Sequence, residues 1–215
     1  MPKKTHRFLP FGNGQENDDG SVDGVDLDGD EWGHAGVIFN MEHNMPVVND
    51  EFGYIGEPVD KSERAEGAIT REKHRQIVWG IHIAGGYSAA GDKTQYDDGR
   101  PYMCANWHDT DEYGDIKRLI DFFTHGRICY WQMSIDQDVL FLGDRIYVLS
   151  DHTQQYVVYA AVGGEFTLTL PEGHYWAERY DLRTGEYVVL GQMDHHVEIV
   201  LPDSQDWVVL LERHT

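Results

Sequence analysis

Met45-Pro-Val-Val-Asn-Asp-Glu-Phe-Gly-Tyr54 is the stretch that decides the fold. Its short apolar run leads directly into polar residues and glycine, a pattern typical of a buried parallel strand that delivers side chains to the end of a sheet. Gly85-Gly86 closes a predicted helix, and residues 86–90 follow as another short segment. That helix is predicted because apolar residues recur at helical spacing: Ile77, Val78, Ile81 and Ala84.

A second helix is predicted further along the chain. Asp109 and Glu112 have the spacing of a capping box, and Gly126 ends the run. Its apolar face is predicted to consist of Tyr113, Ile116, Leu119, Ile120 and Phe123. The order strand, helix, strand, helix predicts a parallel α/β unit.

After about residue 131 the hydrophobic pattern changes to a period of two. Apolar residues alternate with other residues in two runs: Phe166, Leu168 and Leu170, and then Val197, Ile199 and Leu201. Turn signals such as Pro171-Glu-Gly173 separate the runs. The pattern predicts an antiparallel β-sandwich of roughly seven short strands between residues 139 and 212.

The net negative charge of the chain argues against polyanionic binding partners. The 215 residues include 17 Lys and Arg against 38 Asp and Glu, a formal net charge of −21. Nucleic acid and anionic membrane surfaces are therefore poor candidates, because binding them requires a basic patch. The opening residues lack the apolar core of a signal peptide, and we expect a soluble chain without a membrane span.

Residues 1–35 form an acidic, Gly- and Asp-rich segment that we interpret as a loop. The run Asp23-Gly-Val-Asp-Leu-Asp-Gly-Asp30 suggests a calcium site, since hard cations prefer clustered carboxylates. The helix–loop–helix calcium pattern fails, because placing Gly29 sixth puts Ala35 twelfth, where a Glu is needed. A solvated loop is the favoured interpretation, and calcium binding stays open.

The sequence predicts neither a cofactor nor a metal centre. His195 and His196 are expected on opposite faces of a strand, where they could not share one metal ion. Cys104 and Cys129 are expected as two buried free thiols, with one bridge between them as the alternative.

Glu51 is the candidate catalytic residue. A carboxylate at the carboxyl end of a parallel strand lies where α/β barrels build their active sites. The run Asn49-Asp-Glu-Phe-Gly-Tyr54 resembles the seventh-strand motif, Glu followed by an aromatic residue and Gly, of retaining glycosidases built on (β/α)8 barrels. The resemblance implies that Glu51 is the nucleophile.

Neighbouring segments resemble the bacterial apiosidase-like glycoside hydrolase family, whose barrel is followed by a β domain labelled collagen-binding. The matching runs are Pro46 to Glu51, Trp79-Gly80 and Ala84-Gly-Gly-Tyr87, then Tyr156 to Glu165 and Tyr180 to Glu186. The resemblance implies the last part of a (β/α)8 barrel over residues 36–130 and a small antiparallel β-sandwich over 131–215. It further implies an oligo- or polysaccharide substrate and secretion.

The chain is too short for the whole barrel. A full barrel takes about 250 residues, and retaining hydrolysis needs a second carboxyl group about 5–5.5 Å from the nucleophile. The Asn-Glu pair that supplies it in these enzymes does not occur upstream of Glu51. We therefore expect the C-terminal portion of a glycosidase, with self-association or a partner chain that completes the barrel.

The candidate substrate-binding residues surround Glu51 in the resemblance: Asp50, Tyr54, Tyr87, Trp107 and His108. Alternatives stay open for each of them, since the carboxylates could be surface groups and the aromatic residues could pack in a core. A non-catalytic alternative is carbohydrate or matrix binding by the β domain beside a relic half-barrel. Its candidates are Tyr175, Trp176, Tyr180 and Tyr187, of which alternation predicts that half are core.

Overall fold

The computed structural model describes residues 33–41, 45–49, 54–55, 68–89, 111–125, 127–136 and 138–214. Its helices are α1 (His34–Met41), α2 (Arg71–Ile83) and α3 (Asp111–Thr124), with a 3-10 helix at Tyr130–Gln132. The strands are β1 (Val48–Asn49), β2 (Tyr54–Ile55), β3 (Ala68–Ile69), β4 (Tyr87–Ser88), β5 (Ser134–Ile135), β6 (Leu140–Leu142), β7 (Ile146–Ser150), β8 (Gln155–Ala160), β9 (Glu165–Tyr180), β10 (Tyr187–Val200) and β11 (Trp207–His214).

Helix α2 confirms the predicted helix, which stops just before Gly85-Gly86 as expected. The Thr70 hydroxyl caps the first turn by accepting a hydrogen bond from the backbone N–H of Lys73 at 3.1 Å. Ile77, Trp79 and Ile81 are buried, and burial of each isoleucine contributes roughly 1.5–3 kcal/mol through the hydrophobic effect. The helix ends at Ile83, and Gly85, just beyond the C-cap Ala84, has a φ of +80° that favours glycine.

The strands on either side of α2 pair in parallel, which confirms the predicted strand–helix–strand unit. Val48 lies opposite Tyr87, and Asn49 lies opposite Ser88. A second parallel pair, β2 with β3, was not anticipated from the sequence. Neither was α1, which packs against α2.

Helix α3 confirms the second predicted helix, but its buried face differs from the prediction. Ile120 is 50% exposed, whereas Phe122 is buried together with Leu119 and Phe123. Phe122 packs edge-on against Trp79, with ring centroids 5.3 Å apart. The prediction for Ile120 was wrong because spacing along a helix does not tell which of two adjacent apolar stripes faces the core. Tyr113 and Gly126 lie outside the side chains that the structure describes.

Strands β5 to β11 form a seven-stranded antiparallel sheet within the described residues. Its order is β10-β9-β11-β8-β7-β5, and β6 pairs with the first half of β9. The predicted period of two is confirmed, since Phe166, Leu168 and Ile199 are all buried. The strands are not all short, because β9 spans 16 residues and β10 spans 14.

The two faces of this sheet bury different cores. Leu149, Val157 and Leu210 pack in one cluster with the buried side chains of α2 and α3. Their neighbours in sequence, such as Val148 and Val158, pack instead in a second cluster with the first half of β9 and the last half of β10. The long hairpin therefore covers one face, giving a sandwich-like arrangement, and the helices cover the other.

Ion pairs join the helices to the sheet. The guanidinium of Arg75 on α2 donates hydrogen bonds to both carboxylate oxygens of Asp206 at 2.5–3.1 Å. The Asp115 carboxylate on α3 accepts hydrogen bonds from Arg71 at 2.7 and 2.9 Å and from Arg118 at 2.6 Å. These contacts fix α2, and therefore the parallel strands beside it, against the sheet.

Candidate functional site

The carboxyl ends of β1 and β4 form the edge at which the sequence predicts a site. The backbone N–H of Tyr87 donates to the carbonyl of Val47 at 2.9 Å, and that of Ala89 donates to the carbonyl of Asn49 at 3.2 Å. Asn49, the last residue of β1, directly precedes Asp50 and Glu51 in the sequence. The carboxyl ends of neighbouring parallel strands are where α/β proteins place ligands.

The two faces of this strand pair have opposite environments. Asn49 is buried, and its register partner Ser88 lies within 3.2 Å of the His82 side chain on α2. The other face carries Val48 and Tyr87, which are 53% and 45% exposed. Tyr87 is the first residue of β4 and is exposed, and its role in ligand binding stays a prediction.

His82 supports the strand end as a neutral side chain. Its ring packs against Phe123 and Tyr130, with ring centroids 5.9 Å apart in each case. Burial lowers the pKa of His82 to about 4. The imidazole is therefore uncharged at neutral pH and shares a hydrogen bond with the Ser88 hydroxyl.

Tyr130 is a residue of this region that the sequence analysis missed. Its hydroxyl lies 2.9 Å from the carbonyl oxygen of His82 and 2.5 Å from that of Gly86, and donates to them. Its ring meets that of Tyr87 edge-on, with centroids 5.8 Å apart. Burial raises the pKa of the Tyr130 hydroxyl, which stays protonated as the donor. No motif marks Tyr130, because it reaches the site across more than 40 residues of chain.

Several predicted site residues lie outside the described residues. These are Glu51, Asp50, Trp107 and His108, together with the capping residue Asp109, the thiol Cys104 and the acidic segment 1–32. Tyr54 lies in β2, of which the backbone is described. Cys129 is a free, half-buried thiol. Of the predicted site residues, Tyr87 is the one whose surroundings can be stated.

The histidine, cysteine and acidic side chains of the described residues do not cluster as metal ligands. In that part of the chain, no three His, Cys, Asp or Glu side chains come close enough to hold a metal ion. The expectation that His195 and His196 point apart was wrong, since their rings lie 4.2 Å from each other. A register shift between Asp194 and His196 interrupts the alternation of β10 at that point.

A cleft of about 450 Å³ opens where the helices meet the sheet. It is lined by Arg71, Glu72, Arg75, Arg118, Arg183 and Gln205. Each of these arginines already pairs with an aspartate, for example Arg183 with Asp181 at 2.9 Å. The cleft is therefore best explained by the ion pairs that join helices and sheet. No helix in the described residues is long and apolar enough to cross a membrane.

The aromatic candidates of the β domain divide as alternation predicted. Tyr175 and Tyr180 are buried in the core. Tyr187 is exposed but already stacks on Phe122 and lies 5.6 Å from the guanidinium of Arg127. Trp176 is partly buried and meets the His214 ring edge-on.

Two glycoside hydrolases are among the solved structures that resemble the chain. One is a glycoside hydrolase family 5 protein from Bacteroides vulgatus, which is 15% identical with a TM-score of 0.71 and matches over 94% of this chain and 49% of its own. The other is described as a glycoside hydrolase, is 16% identical with a TM-score of 0.72, and matches over 94% of this chain and 50% of its own. No protein-family model and no curated protein matches the sequence. The chain therefore spans about half the length of these structures and shares a glycoside hydrolase-like fold with them.

Proposed function

We propose that this chain is the C-terminal portion of a retaining O-glycoside hydrolase, with Glu51 as the nucleophile. The observation that carries the proposal is the parallel unit β1–α2–β4, whose first strand ends immediately before Asp50 and Glu51. In a (β/α)8 barrel that edge holds the catalytic carboxylates. The similar solved structures support the same fold over about half of their length.

The exposed face of the strand pair supports an incomplete barrel. Helix α2 covers the Asn49 and Ser88 side, which corresponds to the outer layer of a barrel, while Val48 and Tyr87 face away from it. In a complete barrel the inward side chains are packed in layers from several strands. We infer that residues 36–130 provide the last strands of such a barrel and that further strands, from a longer product or a partner chain, cover this face.

The remaining sequence predictions follow as parts of the proposal. Residues 131–215 form the accompanying antiparallel domain, and the apiosidase-like family is the narrower assignment. Asp50, Tyr54, Tyr87, Trp107 and His108 bind the oligo- or polysaccharide near Glu51. The second carboxyl group, which protonates the leaving oxygen, comes from the part of the barrel that this chain does not contain.

The first test concerns the native species. The protein is isolated from its source cells with an antibody against the C-terminal sheet, and its intact mass and copurifying chains are measured. We expect a mass well above 24.7 kDa, or a tightly bound barrel-sized partner. A free species of 24.7 kDa would contradict the need for a complement.

The second test identifies the nucleophile in that native species. A panel of 2,4-dinitrophenyl 2-deoxy-2-fluoroglycosides is used, because this leaving group departs without protonation and the nucleophile alone is required. We expect one covalent sugar on Glu51 by peptide mapping, lost in Glu51→Gln and retained in the control Glu198→Gln, which removes an exposed carboxylate on β10. Absence of label across the panel, or label that persists in Glu51→Gln, would refute the assignment.

Glycan binding without catalysis is the second candidate function. It is favoured by exposed aromatic surface, above all Trp131 on the 3-10 helix, which is 75% exposed. Aromatic faces stack on the apolar faces of sugars. Glycan binding by an unlabelled 24.7 kDa species, lost in Trp131→Ala, would establish this function in place of hydrolysis.

A further inference from the structure

A serine, a histidine and a buried aspartate lie in a line at the edge of the large sheet, with a hydrogen bond between the first two and an ion-pair contact between the last two. The Ser134 hydroxyl lies 2.7 Å from Nε2 of His152. Nδ1 of the same ring lies 3.3 Å from a carboxylate oxygen of Asp136. The nucleophile, the base and the group that orients the base are thus arranged in the order that nucleophilic catalysis requires.

The environment of Asp136 favours a proton on Nδ1 of His152, the ring nitrogen that faces the carboxylate. Asp136 is buried, and its Oδ1 accepts hydrogen bonds from the backbone N–H groups of Asp138 and Val139 at 3.1 and 3.3 Å. Its Oδ2 accepts a further hydrogen bond from the Ser150 hydroxyl at 2.5 Å. A carboxylate that receives only donors favours the proton on Nδ1 of the facing imidazole. Nε2 of His152 is then the acceptor for the Ser134 hydroxyl hydrogen.

The turn that carries His152 has a backbone conformation that residues other than glycine rarely adopt. His152 has a φ of +60°. Its backbone N–H donates to the Ser150 hydroxyl at 3.0 Å. The Asp151 carboxylate accepts hydrogen bonds from the backbone N–H groups of Thr153, Gln154 and Gln155 at 2.6–2.9 Å. Such strain persists where surrounding contacts over-determine the geometry, and it is common at functional sites.

The line of side chains is open to solvent at its nucleophilic end. The His152 side chain is 47% exposed, and Ser134 is partly exposed. Within the described residues, β5 pairs with β7 alone, so Ser134 lies on a sheet edge. The N–H of Asp136 donates to β7, and by the alternation of an antiparallel ladder that of Ile135 points away from β7. The residue after the nucleophile thus presents a backbone donor at the open edge, as in an oxyanion hole.

We propose that Ser134 and His152, positioned by Asp136, hydrolyse carboxylic esters that carry a small acyl group. Ser134 Oγ bonds to the acyl carbon as its proton moves to Nε2 of His152. The tetrahedral intermediate then expels the alcohol, which takes that proton. Water repeats the sequence on the acyl-serine, releasing the carboxylic acid and restoring Ser134. An exposed edge suits an acyl group that projects from its carrier, and the proposal is independent of Glu51.

The test combines covalent labelling with turnover on the full chain. Phenylmethanesulfonyl fluoride is expected to sulfonylate Ser134, located by peptide mass spectrometry, and a chromogenic aryl acetate is expected to be hydrolysed. Ser134→Ala should abolish both signals. His152→Asn should lower both at least about 100-fold, since general-base catalysis contributes 10²–10⁴-fold. Asn is chosen because it tolerates positive φ, which keeps the turn intact.

Matched controls separate this site from generic surface reactivity. Ser204→Ala removes an exposed serine in a turn. His174→Asn removes an exposed imidazole that also pairs with a carboxylate, that of Asp194 at 2.8 Å. Both controls should react like the parent, and circular dichroism should show that all four variants are folded. Sulfonylation elsewhere than Ser134, or ester turnover that persists in folded Ser134→Ala, would overturn the proposal.

Discussion

Among single substitutions at the contact between the helices and the sheet, Asp206→Ala should lower the free energy of unfolding most. Asp206 and Arg75 are both buried, with side chains 0% and 5% exposed, and three N···O distances of 2.5–3.1 Å join them. The substitution leaves the buried Arg75 guanidinium without the carboxylate that neutralises its charge. Breaking a buried pair in this way costs about 3–5 kcal/mol of unfolding free energy. The nearest other carboxylate, Asp115, lies 3.9 Å from Arg75 and already binds Arg71 and Arg118.

Urea denaturation followed by tryptophan fluorescence measures this loss of unfolding free energy. Two further variants serve as controls. Lys117→Ala breaks an exposed pair with Asp121, one helical turn apart, and should leave the free energy of unfolding almost unchanged. The double substitution Arg75→Met with Asp206→Ala should recover most of the loss, since no unpaired charge stays buried. A loss under about 1 kcal/mol for Asp206→Ala, or a double variant no better than the single one, would refute the reasoning.

Two further predictions concern the supports of the β4 strand end. The pKa of His82 in the folded protein, about 4, lies below its usual 6.5, so its stabilising contribution is complete above pH 6.5 and is lost as pH falls toward 4. Between about pH 7 and pH 5, parent stability relative to His82→Gln should fall by about 2 kcal/mol in urea titrations, and a constant difference would contradict a buried neutral ring. Tyr130→Phe keeps the ring but removes the donor to the His82 and Gly86 carbonyls, so it should cost about 1 kcal/mol in the same assay. An unchanged midpoint would show that the hydroxyl bond adds nothing to stability.

Local patterns predicted the elements well where burial follows one clear period. The helix around Trp79 and the alternating strand at Phe166 were both expected, because a single buried face imposes a period of 3.6 or 2 on the sequence. Ile120 was assigned to the wrong apolar stripe of α3. The rotation of α3 about its own axis depends on how the helix packs against Trp79 and the sheet, which the spacing of apolar residues does not show. The rings of His195 and His196 meet because a bulge, which has no signal in the pattern, interrupts β10.

The candidate sites were predictable to different degrees for the same reason. Tyr87 could be proposed from sequence because it lies in the segment 86–90, which both the local pattern and the resemblance mark. Tyr130 was missed, since it reaches the same strand end from another part of the chain. The triad of Ser134, Asp136 and His152 was missed as well. Strands β6 and β7 separate its serine and aspartate from its histidine in the sequence, so no local pattern connects them.

The sequence by itself determined the helices α2 and α3, the parallel unit around α2, the antiparallel character of the C-terminal part and the acidic charge. These properties follow from short-range periodicity and composition, which each segment carries on its own. Only the tertiary structure decided that the sheet buries two cores, that Arg75 binds Asp206 across 131 residues of sequence, and that Ser134 meets His152. Such contacts depend on how whole elements dock, and docking energy is shared among many side chains that are distant in sequence.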